Sequence, residues 1–166
     1  RRHADTPYGD HRMSEGNETI NSHEHNWRYD AARYELIDDT MAALTALGHA
    51  GRARSRARIA AITGSVGKTG SKEALRLALS RQGKTHASVA SYNNHWGVPL
   101  TLVRMPRESA YGVFEIGMNH PFEILPLAGL VRPHVALVTT VEPVHIEFFR
   151  SIWGVADAKG DIDGTP

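Results

Sequence analysis

Two glycines, a lysine and a threonine lie close together at residues 64–69, directly after a short apolar run and before a helical pattern. Glycine lets the backbone turn tightly and approach an anion where a side chain would block it. The first N–H groups of the following helix are unpaired and lie at the positive end of its dipole. This pattern indicates a loop that binds phosphate. The residues predicted to form it are Gly64, Ser65, Val66, Gly67, Lys68 and Thr69.

Lys68 and Thr69 have side chains suited to a nucleoside triphosphate. The lysine ammonium can reach the β- and γ-phosphates, and the threonine hydroxyl can bind the Mg²⁺ that accompanies them. The segment between Gly64 and Gly67 is shorter than in the usual pattern G-x-x-x-x-G-K-[ST]. A simple Gly-rich turn is the alternative. Because strand, lysine and helix all fall where a phosphate loop needs them, we favour nucleotide binding.

An acid and a histidine follow two later apolar stretches. Glu115 lies near the end of the β-prone residues 111–117, and His145 follows residues 134–140. A glutamate buried beside a strand needs a partner, and a metal ion is a suitable one. The alternative is a surface carboxylate paired with Lys or Arg. A lone histidine is more often structural or exposed, but its place after a strand makes metal binding an equal alternative.

The elements that must position these residues are alternating strands and helices. Apolar stretches predict strands at residues 59–63, 85–89, 111–117 and 134–140, separated by helical patterns. Pro99 and Pro121 are expected to open the second and third of these helices, and Pro126 to shorten or kink the third. The most continuously apolar strand, at 134–140, is predicted to be buried on both faces.

This alternation predicts an α/β fold of the P-loop type, with an open, mostly parallel sheet flanked by helices. Ligands of such sheets bind beyond the carboxyl ends of the strands. The segments that follow the strands are therefore expected to meet at one edge; they are residues 64–69, 91–97, 115–119 and 142–147. A last helix begins near Val155 and contains Lys159, for which composition alone predicts a solvated ammonium.

The chain divides into three predicted parts. Residues 1–33 contain four of the ten histidines and few apolar residues, which predicts a solvated, disordered tail. Residues 34–57 begin with a helix, with Ile37, Met41 and Leu44 on one face, an N-terminal cap at Asp38 or Asp39, and a stop at Gly48. The arginine-rich residues that follow have no interleaved aromatics, so we interpret them as a solvated connector. Residues 58–166 form the nucleotide-binding part.

Composition limits the partners. The net charge is +1, which gives no general field for nucleic acid or membrane. The chain has no cysteine, which excludes disulfides, thiolate metal sites and a cysteine nucleophile. No apolar run approaches the length of a membrane span, and we expect no signal peptide. These features favour the cytoplasm, without a nucleic-acid or membrane partner, and they leave the oligomeric state open.

Five segments together resemble the Mur ligases, the ATP-dependent amide-forming enzymes of peptidoglycan synthesis. The segments lie at residues 63–69, 93–102, 115–119, 144–149 and 156–160. The resemblance covers about residues 36–162 and is strongest to the branch that adds D-alanyl-D-alanine to a UDP-muramyl tripeptide. It implies the central, ATP-binding domain of these enzymes.

The resemblance implies a role for each matching residue. Lys68 and Thr69 would hold the phosphates of ATP and Mg²⁺, Glu115 would share the first Mg²⁺, and His145 would lie on a second. Lys159 matches a lysine that the family carries as a carbamate, a negative metal ligand formed from CO₂ and a neutral amine.

The implied reaction is ATP-driven amide synthesis. The muramyl-tripeptide carboxylate attacks the γ-phosphorus to give an acyl phosphate and ADP, and the amine of D-alanyl-D-alanine then displaces phosphate. Asn93 and Asn94 match a loop near the muramyl-peptide substrate. Lys68 and the metal ions would neutralise charge on the transferred phosphoryl group.

This sequence departs from the family at four positions. Phe122 and Arg150 stand where the family commonly has glycine, Gly70 where it usually has Ser or Thr, and Asp161 where it usually has Glu. The family also has an N-terminal domain for the uridine nucleotide and a C-terminal domain that closes over ATP, and neither is evident here. We therefore expect a truncated central domain that is inactive by itself.

Three interpretations remain at this point. The chain is either part of an active ligase or a nucleotide-binding fragment that catalyses nothing. Another P-loop enzyme is the third interpretation, such as a folylpolyglutamate-synthase-like ligase, a small nucleotide kinase or a GTPase. The kinase and GTPase are disfavoured by the short loop, by Glu115 in place of the expected Asp, and by His145 and Lys159 downstream.

Overall fold

Four parallel strands form the centre of the structure, a computed structural model that describes residues 39–164. The tail predicted for residues 1–33 lies outside this range. The strands are β1 (Arg58–Thr63), β2 (Thr85–Ala87), β3 (Tyr111–Glu115) and β4 (Val135–Val138). Their order across the sheet is β2-β3-β1-β4, so β1 pairs with both β3 and β4. The predicted parallel α/β sheet is confirmed.

The register of the sheet brings the ends of its central strands together. Ile62 of β1 lies opposite Glu115 of β3, and Thr63 lies opposite Val138 of β4. Because all pairs are parallel, the segments that leave β1, β3 and β4 start at the same edge of the sheet. This edge is where the sequence predicts a ligand site.

Six helices connect and flank the described strands. They are α1 (Thr40–Ala53), α2 (Lys68–Ser80), α3 (Gly97–Arg104), α4 (Ile124–Val131), α5 (Ile146–Phe149) and α6 (Ile152–Gly160), and a 3₁₀ turn follows at Asp161–Asp163. Pro99 lies in the first turn of α3, as predicted. Pro121, however, does not open α4, which begins at Ile124. Pro126 lies in the first turn of α4, where its missing N–H breaks no helical hydrogen bond.

The hydrophobic core lies where β1 and β3 pack against α3 and α4. Ile59, Phe114, Leu102 and Ile124 represent these four elements, and each is at most 1% exposed. Burial of such side chains is the main driving force that holds helices on a sheet.

No helix in the described part of the chain combines the length and apolarity that a bilayer crossing needs.

The first helix differs from its prediction in where it ends. Asp39 is the N-cap, as expected: its Oδ1 accepts from the N–H groups of Met41 at 2.8 Å and Ala42 at 3.0 Å. Gly48 is not a stop, because α1 continues to Ala53. Gly48 and Gly51 are buried against α3, and a Cβ on Gly51 would lie 2.6 Å from the Leu102 carbonyl oxygen. These glycines therefore serve close helix packing.

The interpretation of the arginine-rich residues as a solvated connector is wrong for Arg52, which is half-buried, whereas Arg54 is exposed and is nevertheless bonded to the fold. Arg52 Nε donates to the carbonyl of Val131 at 2.5 Å, and Arg54 Nη2 donates to the carbonyl of Val103 at 2.6 Å. Both carbonyls lie in the last turns of helices, where unpaired acceptors favour cationic donors. The two arginines thus hold α1 to the ends of α4 and α3.

The prediction that the strand at residues 134–140 is buried on both faces is also wrong. β4 is the edge strand of the described sheet, and all four of its residues are exposed. Val135 is 64% exposed and Leu137 is 44% exposed. An apolar run indicates a strand that favours burial, but it does not specify which neighbours cover it.

Candidate functional site

The loop between β1 and α2 has the backbone shape that its glycines predict. Gly64 has φ 144° and Gly67 has φ 86°, a region that residues with a Cβ rarely adopt. A Cβ on Gly64 would also overlap the hydroxyl of Thr139. Gly67 is the N-cap of α2, so Lys68 and Thr69 are the first residues of the helix.

Two threonines after β4 hold this loop in place. Val66 N donates to Thr140 Oγ1 at 3.0 Å, and Ser65 N donates to the Thr140 carbonyl at 3.0 Å. Thr139 Oγ1 donates to the Val66 carbonyl at 2.6 Å. Thr139 and Thr140 are not among the predicted site residues; their place at the end of the strand predicted at residues 134–140, at the ligand edge, is the signal that could have identified them.

The Lys68 side chain lies inside the loop. Its Nζ donates to the carbonyl of Gly64 at 2.6 Å and approaches that of Ser65 at 3.5 Å. The ammonium is therefore held beside the backbone that would surround an anion.

Glu115 lies against the phosphate loop through Thr69. Thr69 Oγ1 donates to Glu115 Oε2 at 2.9 Å, and Asn93 Nδ2 donates to Glu115 Oε1 at 2.8 Å. The glutamate is 1% exposed, and among residues 39–164 it forms no ion pair. The alternative of a surface carboxylate paired with Lys or Arg is therefore wrong. A buried carboxylate whose donors are neutral side chains is a suitable ligand for a cation.

A cavity of about 150 Å³ lies beside these residues. It brings together Lys68 and His145, which are far apart in the chain, on the same edge of the sheet. His145 precedes α5 and has φ 57°. The lining residues are Lys68, Asn93, Asn94, Gly117, Met118, Asn119, Glu123 and His145.

A contact between the loop after β3 and helix α5 supports the segment that contains His145. The rings of His120 and Phe148 lie 4.4 Å apart between centroids, and Phe148 N donates to the His145 carbonyl at 3.0 Å. His120 Nδ1 lies 3.1 Å from Glu123 Oε1. The sequence analysis did not identify His120 or Glu123, since neither stands out by pattern in a polar loop.

Asn93 and Asn94 have different environments within the loop predicted to lie near substrate. The Asn93 amide is bound to Glu115, as described above. Asn94 Oδ1 accepts from Trp96 N at 3.2 Å and from the N–H of Gly97, the first residue of α3, at 2.9 Å. Both residues also line the cavity.

Lys159 is buried in α6, with 3% of its surface exposed. The solvated ammonium predicted from composition is therefore wrong. Burial, and secondarily the positive charge of nearby Lys68, lowers the pKa of Lys159 to about 8. A lysine with this pKa has a substantial neutral fraction near physiological pH, and the neutral amine is the nucleophilic form.

The candidate cation ligands fit Mg²⁺ better than a metal held by protein alone. Within residues 39–164, no group of three or more His, Asp or Glu side chains is placed to hold a metal ion. The hydroxyl of Thr69 and the carboxylate of Glu115 are hard oxygen donors, 2.9 Å apart. Mg²⁺ is commonly bound by one or two such groups, with phosphate oxygens and water completing its shell.

The parallel sheet, the Gly-rich loop after its central strand, and the lysine and threonine that begin the next helix define the P-loop class of α/β folds. The Mur ligase middle domain family matches residues 62–163. The chain belongs to this family, which confirms the resemblance found in the sequence.

Known relatives agree on one branch of the family. The chain is 42% identical over 132 residues to UDP-N-acetylmuramoyl-tripeptide–D-alanyl-D-alanine ligase of Escherichia coli strain K12, covering 79% of this chain and 29% of the relative. It is 37% identical over 133 residues to the same-named ligase of Rickettsia prowazekii, covering 80% of this chain and 30% of the relative. The chain thus spans less than a third of the length of these relatives.

Solved structures show the same fold. A crystal structure of MurF from Acinetobacter baumannii superposes with a TM-score of 0.73 at 37% identity, covering 76% of this chain and 28% of that one. MurF ligase from Thermotoga maritima in complex with ADP gives a TM-score of 0.72 at 24% identity, covering 82% of this chain and 32% of that one. The second similarity supports the fold alone.

Proposed function

We propose that this chain supplies the ATP-binding middle domain of a ligase that adds D-alanyl-D-alanine to UDP-N-acetylmuramoyl tripeptide. The observation that carries the proposal is the 2.9 Å hydrogen bond from Thr69 to Glu115. It places a buried carboxylate against the first turn of the phosphate-loop helix. The names of the relatives supply the substrates. Because the reaction consumes ATP, we propose that it takes place in the cytoplasm.

The backbone of residues 64–69 and the Lys68 ammonium would bind the phosphates of ATP. The N–H groups at the start of α2 suit an anion, and Lys68 already lies within the loop. Thr69 Oγ1 and the Glu115 carboxylate would hold Mg²⁺, whose charge offsets the negative charge of the phosphates. His145 and Lys159 would hold a second Mg²⁺, with Lys159 in a carbamate form.

The environment of Lys159 favours carbamate formation. Its neutral amine attacks CO₂, a C–N bond forms, and the nitrogen proton is lost to water, which leaves a negative carbamate. The lowered pKa of Lys159 increases the neutral amine fraction. The Lys68 charge, which disfavours an ammonium at Lys159, would favour an anion there.

The reaction that these residues would serve has two steps. A carboxylate oxygen of the tripeptide attacks the γ-phosphorus of ATP and ADP leaves, giving an acyl phosphate. The amine of D-alanyl-D-alanine then attacks the acyl carbon, phosphate leaves and the amine loses a proton. Lys68 would offset charge on the transferred phosphoryl group. Asn93 and Asn94 line the cavity and would contact the muramyl peptide.

We propose that the 166-residue chain binds nucleotide and that amide formation needs segments corresponding to the rest of the relatives. The chain spans 29% of the length of the Escherichia coli relative, and this observation favours the nucleotide-binding fragment as the second candidate function. Adding a complementing fragment of a relative to the chain, with the tripeptide, D-alanyl-D-alanine and ATP, separates the two candidates by whether product forms.

Calorimetric titration of the chain with Mg-ATP tests the nucleotide site. We expect Lys68→Ala to abolish measurable binding, because it removes the cation held inside the loop. Lys84→Ala is the matched control, since Lys84 is 72% exposed and pairs only with Glu108 among the salt bridges of the described residues. Equal binding by Lys68→Ala and the unmodified chain would contradict the loop assignment.

A further inference from the structure

Lys72 is a buried lysine that the proposed reaction does not use. It lies one helical turn after Lys68 on α2 and is 1% exposed. Lysine is almost never fully buried unless it is paired, because its ammonium loses hydration. Its Nζ donates to the carbonyl of Ala90 at 2.9 Å and lies 3.2 Å from Glu73 Oε1. An apolar side chain could fill the same space without burying an amine. The presence of a lysine therefore suggests that its hydrogen bond to Ala90 has a specific role.

Ala90 is the strained residue of a tight turn between β2 and α3. Its φ of 47° lies in the left-handed region that residues with a Cβ rarely adopt. The turn is closed by hydrogen bonds from Tyr92 N to the Val89 carbonyl at 3.1 Å and from Asn93 N to the Ser91 carbonyl at 2.8 Å. The direction of the Ala90 carbonyl and the position of Asn93 are therefore fixed by the same turn.

Asn93 is held to the end of β3 at two points. Its side chain donates to Glu115 Oε1 at 2.8 Å, and its carbonyl accepts from Gly117 N at 2.7 Å. A Cβ on Gly117 would lie 2.9 Å from the Asn93 side chain, so the two segments are closely packed. Any movement of Asn93 thus changes the support of Glu115.

These contacts close a circuit through three segments of the chain. Thr69, at the start of α2, donates directly to Glu115 Oε2 at 2.9 Å. Lys72, one turn later on the same helix face, reaches the other oxygen of Glu115 through the Ala90 turn and Asn93. The carboxylate is thus oriented from both sides by one helix.

We propose that Lys72 is a positioning residue for Glu115: its bond to Ala90 fixes Asn93, and Asn93 holds one carboxylate oxygen so that the other faces Thr69. Lys72 thereby joins the phosphate loop and the β2–α3 loop into one unit around the cavity. This inference rests on the proposed function only in assigning Mg²⁺ to Glu115. The competing explanation is that Lys72 contributes to folding alone.

Hydrogen exchange of the Gly117 amide in the nucleotide-free chain tests the positioning directly. Lys72→Met keeps the length and apolar stem but removes the donor, and we expect exchange at Gly117 to rise about tenfold, the scale of one charge-assisted hydrogen bond. Val131→Ala is the matched control. Val131 is fully buried at the end of α4 and does not contact this circuit, so the substitution lowers stability without removing any of its hydrogen bonds. Unchanged Gly117 exchange in Lys72→Met would overturn the proposal.

A double-mutant cycle tests whether Lys72 acts through Asn93. The quantity is the ratio of ATP affinity with Mg²⁺ to that with a chelator, measured by calorimetry. We expect Lys72→Met and Asn93→Ala each to lower this ratio about tenfold, and the double variant to lower it no further. Val131→Ala should leave the ratio unchanged. Independent, multiplicative losses would overturn the route through Asn93.

The two measurements distinguish a failure of the proposed function from a failure of the proposed role of Lys72. If the unmodified chain shows no Mg²⁺-dependent ATP binding, the proposed function fails, while Gly117 exchange still decides the role of Lys72. If Lys72→Met does not fold, Lys72→Gln takes its place, since its shorter amide carries no charge and does not reach as far as the lysine amine. A lower thermal midpoint for Lys72→Gln with unchanged Gly117 exchange would show a role in folding alone.

Discussion

Thr69 Oγ1 lies 2.9 Å from Glu115 Oε2, although the two residues are 46 positions apart in the chain. The contact arises because only the loop at residues 64–67 separates β1 from α2, and β3 runs parallel to β1 with Glu115 opposite Ile62. Two separate strand ends are thereby combined into one pair of oxygen donors. The parallel sheet and the short loop together bring the two residues to the same edge.

Glu115→Gln should separate the two effects of the carboxylate. The amide keeps the shape and can still accept from Asn93, but it loses the negative charge. We expect the affinity for Mg-ATP to fall at least about tenfold, because an anionic oxygen ligand is lost. The thermal midpoint of the metal-free chain should stay the same or rise, because a buried charge without a cation destabilises the folded state.

Calorimetry and thermal unfolding of Glu115→Gln check both outcomes. Glu108→Gln is the control, since Glu108 is 60% exposed, lies 3.5 Å from Lys84 and precedes β3, whose opposite end carries Glu115. A strongly lowered thermal midpoint with normal Mg-ATP affinity would assign Glu115 to folding and remove it from the cation site.

The local parts of this site could be predicted from the sequence. Glycine spacing, apolar runs and helix periodicity are short-range patterns, and they place Lys68, Thr69 and Glu115 at the ends of specific elements. The parallel arrangement then requires those ends to meet. His145 lines the same cavity as Lys68 because it also follows a strand of the parallel sheet.

The contacts that orient these residues could not be predicted in this way. The bonds from Lys72 to Ala90 and from Arg52 to Val131 join residues through tertiary packing, and no local pattern marks a lysine or arginine as buried. The exposure of Leu137 on β4 does not follow from the sequence, because an apolar run indicates a preference for burial and does not specify which elements cover the strand. The sequence predicts a stop at Gly48 because nothing in the sequence distinguishes a glycine that allows close helix packing from one that ends a helix.

Lys159 should form a carbamate in the folded chain. At a pKa of about 8, roughly half of the amine is neutral at pH 8, whereas an ordinary lysine is almost fully protonated. Incubation with ¹³C-bicarbonate near this pH should give a carbamate ¹³C signal. The signal should be absent in Lys159→Met and retained in Lys84→Ala. A signal of equal intensity in Lys159→Met would assign the carbamate to another amine.

His86 should make the folded chain less stable in mild acid. The ring is half-buried, with Nε2 3.0 Å from the Thr101 carbonyl, and burial lowers the pKa of His86 below its usual 6.5. The unfolded chain therefore binds more protons than the folded chain in the window below 6.5. Stability is present above this pH and decreases as the pH falls towards the folded-state pKa.

Thermal midpoints at pH 7.5 and about pH 5.5 measure this contribution of His86. His86→Gln should show a smaller loss between the two conditions than the unmodified chain. His49→Gln is the control, because His49 is exposed on α1 and should leave the loss unchanged. If His86→Gln and His49→Gln behave alike, the acid sensitivity belongs to other groups.

Phe122 and Arg150 should each be replaceable by glycine with a gain in stability. Both are exposed, and their φ angles of 66° and 57° lie in the left-handed region, which is strained for residues with a Cβ. Glycine removes this strain but loses more entropy on folding, so we expect a net gain of about 0.5 kcal/mol for each. Phe122 is 81% exposed, so little buried apolar area is lost.

Urea unfolding of Phe122→Gly, Arg150→Gly and the double variant measures these gains. The two residues lie in separate loops, so their effects should add. Arg107→Gly is the matched control, because Arg107 is exposed and its φ is not positive, so glycine there should lower the unfolding free energy. Stabilisation by Arg107→Gly equal to that of the other two variants would show that backbone strain at Phe122 and Arg150 is not the cause.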